Sequence, residues 1–207
     1  MQPTAERYLW IARHGEATPD EEELSERGRQ QADLLGRRLR DVPLSAVHHG
    51  PLPRAAETAR RVARHLPDVP VHLSEAAGDY LPYLPQRADL PAECAEQVLE
   101  WVADFSAAER ESGPPLAREA LRRFTGTASG DEPRHELLIT HNFLIGWLIR
   151  AALDAPRWRW FGLNHAHAAL TVIRYRPGRP ATLVVQNDLR HLPADLCWTG
   201  FPPGHRV

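Results

Sequence analysis

The feature that most constrains the fold of this chain is a short apolar run that is followed directly by an arginine and a histidine. Residues 8–12 (YLWIA) are typical of a buried strand, and Arg13, His14, Gly15 and Glu16 follow directly. Open α/β sheets bind their ligands at the carboxyl ends of strands, and a glycine allows the backbone to turn sharply there. Histidine is a competent nucleophile near neutral pH, and the planar fork of arginine matches phosphate oxygens. The run therefore predicts a strand end suited to phosphoryl chemistry.

Three further segments follow in a characteristic order. Residues 24–32 (LSERGRQQA) open a helix, residues 51–59 (PLPRAAETA) lead into a second helix, and residues 137–142 (LLITHN) end a strand. Together with the segment Arg-His-Gly-Glu, they resemble the histidine phosphatase superfamily, also called phosphoglycerate-mutase-like, over roughly residues 8–192. The resemblance implies the fold and phosphoryl chemistry of that family and assigns no substrate.

The alternation of strand-like and helical segments predicts an α/β fold. We expect a three-layer α/β/α domain with a mostly parallel central sheet, phosphoglycerate-mutase-like, in which residues 1–207 form a single domain. Residues 69–73 are predicted to lie at or near the edge of the sheet because Pro70 interrupts them. A helical and loop insertion at about residues 78–130 is expected to cover the active site. Within it, residues 92–110 are predicted as one amphipathic helix, and Pro114 with Pro115 as the start of the next.

The resemblance implies a phosphohistidine mechanism with His14 as the nucleophile. Arg13 and Arg54 align with the two phosphate-clamping arginines of the family, and His141 aligns with its second histidine, which donates to the transferred phosphoryl group. Asn142 is expected to add hydrogen bonds to the substrate. His14 must be neutral to attack, so one ring nitrogen should donate to a backbone carbonyl and leave the other free.

A general acid must protonate the leaving oxygen and later help to deprotonate water. Glu75 stands after the third predicted strand, where the acid of the family often lies, and it is the first choice. Asp79, in the adjacent loop, is a serious rival, so the assignment stays open between the two. Glu16 is expected to support the nucleophile loop rather than to act as the acid.

The chain departs from the family pattern close to these motifs. Gly50 stands where many members have serine, Ala17 replaces a common threonine or glutamine, and Thr18 with Pro19 stands where a Trp-Asn pair often follows. These positions bear on substrate recognition more than on the phosphoryl core. They therefore argue against sugar-phosphate mutase activity.

Composition and spacing exclude several other classes of function. The net charge of −2 gives no sign of a nucleic-acid partner, and no apolar run is long enough for a membrane span. The two cysteines suggest neither a disulfide framework nor a zinc site. The pair His165 and His167 has a spacing typical of metal ligands but lacks nearby carboxylate or cysteine ligands, so no metal and no cofactor are expected.

The N-terminus lacks the pattern of a secretory signal, and a cytoplasmic location is expected by default. Arg60, Arg61 and Arg64 are expected to be solvated.

These observations favour a metal-independent phosphatase that hydrolyses a small phosphorylated substrate through a phosphohistidine on His14. One alternative is a phosphoglycerate-type mutase. Another is a member of the same fold that has lost catalysis or that recognises phosphoproteins. The sequence does not indicate an oligomeric state.

Overall fold

The computed structural model describes residues 4–201, together with Gly204 and Arg206. Its strands and helices alternate in the order that the sequence predicts. The strands are β1 (Thr4–Ala5), β2 (Arg7–Arg13), β3 (Leu44–His49), β4 (Val71–Leu73), β5 (Ala128–Ser129), β6 (Arg134–Thr140), β7 (Leu170–Tyr175) and β8 (Thr182–Asp188). The helices are α1 (Glu26–Leu39), α2 (Pro53–Ala63), α3 (Ala95–Ala103), α4 (Ala107–Phe124) and α5 (Asn142–Ala152). Short 3₁₀ turns occupy Glu75–Ala77, Arg87–Asp89, Arg157–Trp160 and Ala194–Leu196.

Six of the strands form one mixed sheet in the order β4-β3-β6-β2-β7-β8. The pairs β4–β3, β3–β6 and β6–β2 are parallel, whereas β7 runs antiparallel to both β2 and β8. Because β2 lies between β6 and β7, the Arg-His-Gly-Glu segment leaves the centre of the sheet. Strand β4 is an edge strand with all three residues exposed, as the sequence predicts.

Alternating side chains of the sheet build a core on each face, and helices cover both. Leu9 and Ile11 of β2 pack into one core with α4 and α5, whereas Ala12 packs into the other with α1 and α2. This alternation follows from the two-residue period of a strand. The three-layer α/β/α architecture with a mostly parallel sheet is therefore confirmed.

The helix boundaries agree with the capping signals of the sequence. Ser25 caps α1 by accepting a hydrogen bond from the backbone nitrogen of Gly28 at 3.0 Å. The single helix predicted over residues 92–110 is wrong, because α3 ends at Ala103 and α4 begins after Ser106. Ser106 and Glu109 form a capping box at this point, which satisfies the free N–H groups of a new helix. The start predicted at Pro114 and Pro115 is therefore also wrong, because both prolines lie inside α4.

The carboxyl ends of the central strands meet at one edge of the sheet. Arg13 of β2 pairs in register with Thr140 of β6, and the backbone nitrogen of His14 donates to the carbonyl of Thr140 at 3.0 Å. The nitrogen of Gly50, just after β3, donates to the carbonyl of Ile139 at 3.2 Å. The segments that follow β2, β3 and β6 are thus fixed side by side. Within the described residues, none of the helices combines the length and apolar character that a bilayer crossing requires.

Candidate active site

His14 lies buried at the centre of this edge with its ring orientation fixed. Its Nδ1 is 2.7 Å from the carbonyl oxygen of Gly15, and because a carbonyl can only accept, Nδ1 carries the proton. Burial, the neighbouring His141 and Arg13 hold the pKa of His14 well below its ordinary value. The imidazole is therefore neutral at physiological pH, and its Nε2 presents a lone pair. The protonated Nδ1 agrees with the expectation from the sequence, but Nε2 is not free, because it accepts a hydrogen bond from Nε of Arg54 at 3.3 Å.

The loop that carries His14 is braced by the starts of two helices. The backbone nitrogen of Gly15 donates to Oγ1 of Thr58 in α2 at 3.1 Å. A side chain at Gly15 would meet the carbonyl of Gly28 in α1 at 2.5 Å, so only glycine allows this close approach. Glu16 accepts a hydrogen bond from the hydroxyl of Ser25 at 2.8 Å. Glu16 therefore has a supporting contact, as predicted.

Arg54 brings a guanidinium directly to the nucleophilic nitrogen. It lies at the second position of α2, is 7% exposed, and its Nε is 3.3 Å from Nε2 of His14. Its other nitrogens contact Oδ2 of Asp79 at 3.0 Å and the backbone carbonyl of Glu21 at 2.9 Å. A phosphoryl group bonded to Nε2 of His14 would have its oxygens beside this guanidinium. The geometry matches the clamping position implied by the resemblance.

Arg13 flanks the same site from the end of β2. Its Nη1 donates to the carbonyl of His165 at 2.9 Å, which orients the guanidinium. Burial lowers the pKa of Arg13 to about 10, with Asp79 opposing the shift. Arg13 therefore remains cationic at neutral pH, and the site holds the buried guanidinium of Arg54 and the partly buried guanidinium of Arg13.

His141 faces His14 across the site. Their ring centroids are 4.9 Å apart, and His141 is 1% exposed. Its Nδ1 lies 3.4 Å from Oδ2 of Asp79, and neither ring nitrogen has a hydrogen-bond partner within residues 4–201. Burial, Arg54 and Arg13 hold its pKa well below the ordinary value. An unpartnered buried ring beside two cations is well suited to meet an anion.

Of the two candidate acids, Asp79 is the one in the cluster. The same carboxylate oxygen contacts Arg54 and His141, and burial raises the pKa of Asp79 although Arg54 and Arg13 lower it. Glu75 opens the 3₁₀ turn Glu75–Ala77 with an exposed side chain and makes neither contact. Of the two alternatives that the sequence left open, Asp79 therefore lies beside Arg54 and His141, whereas Glu75, the first choice, lies outside this cluster.

Two residues beside His141 have positioning contacts. The hydroxyl of Thr140 donates to the carbonyl of Ala77 at 2.7 Å, which ties β6 to the segment that bears Asp79. Asn142, whose contact with substrate stays a prediction, uses its amide oxygen to accept from the nitrogen of His165 at 2.8 Å. Its amide nitrogen lies 3.1 Å from Asn164. The structure therefore assigns Asn142 to holding the loop whose carbonyl orients Arg13.

His167 is a site residue that sequence reasoning missed, because only its metal-binding potential was weighed. Its ring centroid is 5.2 Å from that of His14, and its Nδ1 is 3.1 Å from Oγ1 of Thr199. Burial and Arg13 lower the pKa of His167 strongly. Gly200, in a left-handed conformation with φ of +82°, brings the chain against His167 and Arg13. Nothing in the local sequence indicates this long-range contact.

Two sequence expectations near the site now have a physical account. A side chain at Gly50 would collide with the backbone carbonyl of Ala77, so the serine common in the family has no room in this chain.

Arg60 and Arg64 are exposed, as expected, but Arg61 is not simply solvated. It pairs with Glu57 at 3.2 Å and with Asp33 at 3.0 Å, and so joins α2 to α1.

Comparison with known families and proteins agrees with this architecture. A model described as the histidine phosphatase superfamily, branch 1, matches residues 9–188. The chain is 28% identical, over 94% of its length and 70% of the relative's, to the protein named serine/threonine-protein phosphatase PGAM5, mitochondrial, of Xenopus laevis. It is 30% identical to the protein of the same name from Caenorhabditis briggsae, over 91% of the chain and 65% of the relative. The chain thus spans about two thirds of the length of these relatives.

Solved structures share the fold at lower identity. The phosphoglycerate mutase of Plasmodium falciparum matches with a TM-score of 0.60 and 19% identity, covering 92% of this chain and 96% of that one. The alpha-ribazole phosphatase of Shigella flexneri matches with a TM-score of 0.60 and 24% identity, covering 87% and 96%. These likenesses establish the phosphoglycerate-mutase-like fold.

Proposed function

We propose, because this chain belongs to the histidine phosphatase superfamily, branch 1, that it is a metal-independent phosphatase which hydrolyses phosphomonoesters through a phosphohistidine on His14. The observation that carries the proposal is the neutral ring of His14, with Nδ1 donating to Gly15 at 2.7 Å and Nε2 lying 3.3 Å from the guanidinium of Arg54. A nucleophile, a fixed tautomer and a cation for the developing charge are thereby present together.

In the first step, Nε2 of His14 attacks phosphorus in line with the ester oxygen. The N–P bond forms as the P–O bond breaks, and charge develops on the three phosphoryl oxygens. Arg54, Arg13 and His141 surround that position. Burial raises the pKa of Asp79 and so favours its protonated form, and in this form Asp79 gives its proton to the leaving oxygen, so the alcohol departs neutral.

In the second step, water attacks the phosphorus of phosphohistidine from the side that the alcohol has left. Asp79, now ionised, accepts the proton of the water. The P–N bond breaks, and His14 returns to its neutral form while phosphate leaves. The hydrogen bond from Nδ1 to Gly15 persists through both steps, so the ring keeps one orientation.

His167 supplies a further donor to the phosphoryl group in this proposal. The backbone N–H of Glu16 donates to Oε1 of Gln31 at 2.8 Å, so Nε2 of Gln31 must be the nitrogen that donates to Thr199 at 2.8 Å. The hydroxyl of Thr199 accepts that bond and is free to donate to Nδ1 of His167. The neutral ring then carries its proton on Nε2, as a donor near His14.

Hydrolysis of phosphoproteins is a second candidate, because the relatives of Xenopus laevis and Caenorhabditis briggsae are named serine/threonine-protein phosphatases. The chemistry at His14 would be the same, and only the leaving group would differ.

The proposal is tested by measuring phosphate release from a panel of small phosphomonoesters and phosphoseryl peptides, with a chelator present throughout. We expect chelator-resistant hydrolysis. Loss of all activity with the chelator, or no hydrolysis of any member, would contradict it.

The assignment of the acid predicts a contrast between two substitutions. Replacing Asp79 with asparagine is expected to lower kcat for an alkyl phosphate by about 10²–10⁴-fold, the range typical of general acids. The loss should be much smaller for 4-nitrophenyl phosphate, whose leaving group needs no proton. Glu75→Gln, a matched loss of one carboxylate, should change either rate by less than about threefold, since surface substitutions rarely matter. Equal losses with both esters in Asp79→Asn, or a larger loss in Glu75→Gln, would refute the assignment.

A further inference from the structure

Asp79 lines a pocket of about 300 Å³, and no residue of the segment 13–16 lines it. Its apolar walls are the chain neighbours of the site residues. Leu52 precedes α2, Tyr80 and Leu81 follow Asp79, and Phe143 follows the segment His141–Asn142. Asp79 is the acid that protonates the leaving oxygen in the proposed mechanism. The organic group bonded to that oxygen would therefore extend into this pocket.

The aromatic walls are held in place by their own packing. Phe105 and Phe143 both line the pocket, with ring centroids 6.4 Å apart at 69°. Trp101 packs edge-on against both rings, at 4.9 Å and 5.6 Å. Edge-to-face contacts of this kind fix the orientation of the rings. The pocket is therefore preformed, and its volume lies at the lower limit of sites that take a small organic ligand.

The polar part of the pocket is acidic. Glu109 lines it, and Oε2 of Glu109 accepts from the backbone and the hydroxyl of Ser106 at 2.9 Å and 2.7 Å. These hydrogen bonds lower the pKa of Glu109, so it is ionised at neutral pH. The lining residues include Asp79 but no arginine and no histidine. Because Asp79 is protonated when the substrate binds in the proposed mechanism, the negative charge that a carboxylate or second phosphate on the leaving group would meet here is that of Glu109.

We propose that this pocket binds the leaving group, and that the substrates are phosphate esters of small apolar alcohols, phenolic ones above all, with no negative charge beyond the phosphate itself. The inference rests on the proposed phosphatase function and specifies its substrate class. Aromatic leaving groups can pack against the rings of Phe105 and Phe143 that line the pocket, and Glu109 discriminates against acidic ones. Phosphoglycerates, which carry a carboxylate, are poor substrates on this account.

Two aryl esters that differ in charge provide the test. We expect kcat/KM for 4-methylphenyl phosphate to exceed that for 4-carboxyphenyl phosphate and for 3-phosphoglycerate by about fivefold, the size of a like-charge penalty at short range in water, because Glu109 is exposed. The carboxylate-bearing phenol is the better leaving group, so chemistry alone would favour the opposite order. Glu109→Gln should reduce the ratio of the two aryl esters by most of that factor. Glutamine still fits the capping box with Ser106, so α4 should keep its start.

Glu111→Gln is the matched control, because Glu111 is an exposed acid of the same helix that does not line the pocket. It should leave the ratio unchanged. An unchanged ratio in Glu109→Gln, or a preference for 4-carboxyphenyl phosphate, would overturn the inference while hydrolysis itself persists. Preference for a phosphoseryl peptide over both aryl esters would also overturn it, in favour of a phosphoprotein substrate. Absence of hydrolysis with every ester would instead contradict the phosphatase function.

Discussion

Replacing His14 with alanine is expected to lower kcat for phosphomonoester hydrolysis by about 10⁴–10⁶-fold, the loss seen when an enzyme loses its attacking nucleophile. Nε2 of His14 lies 3.3 Å from Nε of Arg54, so the substitution removes the nitrogen that faces this guanidinium. Phosphate release from the best ester of the panel measures the loss. Circular dichroism should show an unchanged fold, because the alanine remains at the end of β2.

The chain offers a matched control for this substitution. His49 ends strand β3 of the same sheet, precedes a glycine, and contacts the carbonyl of that Gly50 with its Nδ1 at 2.7 Å, just as His14 contacts Gly15. His49→Ala removes the same group and the same kind of hydrogen bond, so it should reduce the stability of the fold by about as much as His14→Ala does. Because His49 does not take part in the proposed chemistry, the variant should retain activity within about fivefold. More than about 1% of wild-type activity in His14→Ala, or equal losses in both variants, would contradict a nucleophilic role for His14.

Replacing Arg54 with glutamine is expected to lower kcat/KM by about 10³–10⁵-fold, the range reported for a well-placed arginine in phosphoryl transfer. Glutamine removes the cation beside Nε2 of His14 and keeps a polar side chain. The pH profile gives a second readout. Arg54 lowers the pKa of Asp79, so its removal should raise that pKa further. Asp79 must be protonated to act as an acid, so activity should fall at a higher pH in the variant than in the wild type.

Arg60→Gln serves as the control for charge, because Arg60 is an exposed residue of the same helix. It should leave both kcat/KM and the pH profile close to those of the wild type. A decrease in kcat/KM of less than tenfold in Arg54→Gln would refute the role assigned to Arg54. Activity that falls at a lower pH in this variant than in the wild type would also refute it.

The sequence predicted those parts of the site that depend on a strand end or a helix start. Residues 8–12 with Arg13 and His14 indicated a central strand and a catalytic loop, and parallel strands place such ends at one edge. The resemblance to the family singled out Arg54, and Pro53 predicted the helix start on which Arg54 lies. The Ser106–Glu109 capping box was also readable, but the apolar periodicity before it favoured one continuous helix and led to the wrong boundary.

The remaining features depend on loops whose course the sequence does not specify. Glu75 and Asp79 are equally polar and four residues apart, and only the 3₁₀ turn Glu75–Ala77 decides which carboxylate reaches Arg54. His167 joins the site through Thr199, 32 residues further along the chain. Asn142 matched a motif position, but its amide is engaged by the loop at Asn164. Contacts of this kind carry no periodic signal.

The central claim is that the phosphoryl group passes through His14, and the stereochemical course at phosphorus tests it most directly. A phenyl phosphate made chiral with ¹⁶O, ¹⁷O and ¹⁸O would be transferred by the wild-type protein to an alcohol acceptor, and the configuration of the product ester would be determined by ³¹P NMR. Two in-line displacements, first by Nε2 of His14 and then by the acceptor, predict overall retention of configuration. Inversion would mean a single direct displacement without a phosphohistidine and would contradict the mechanism.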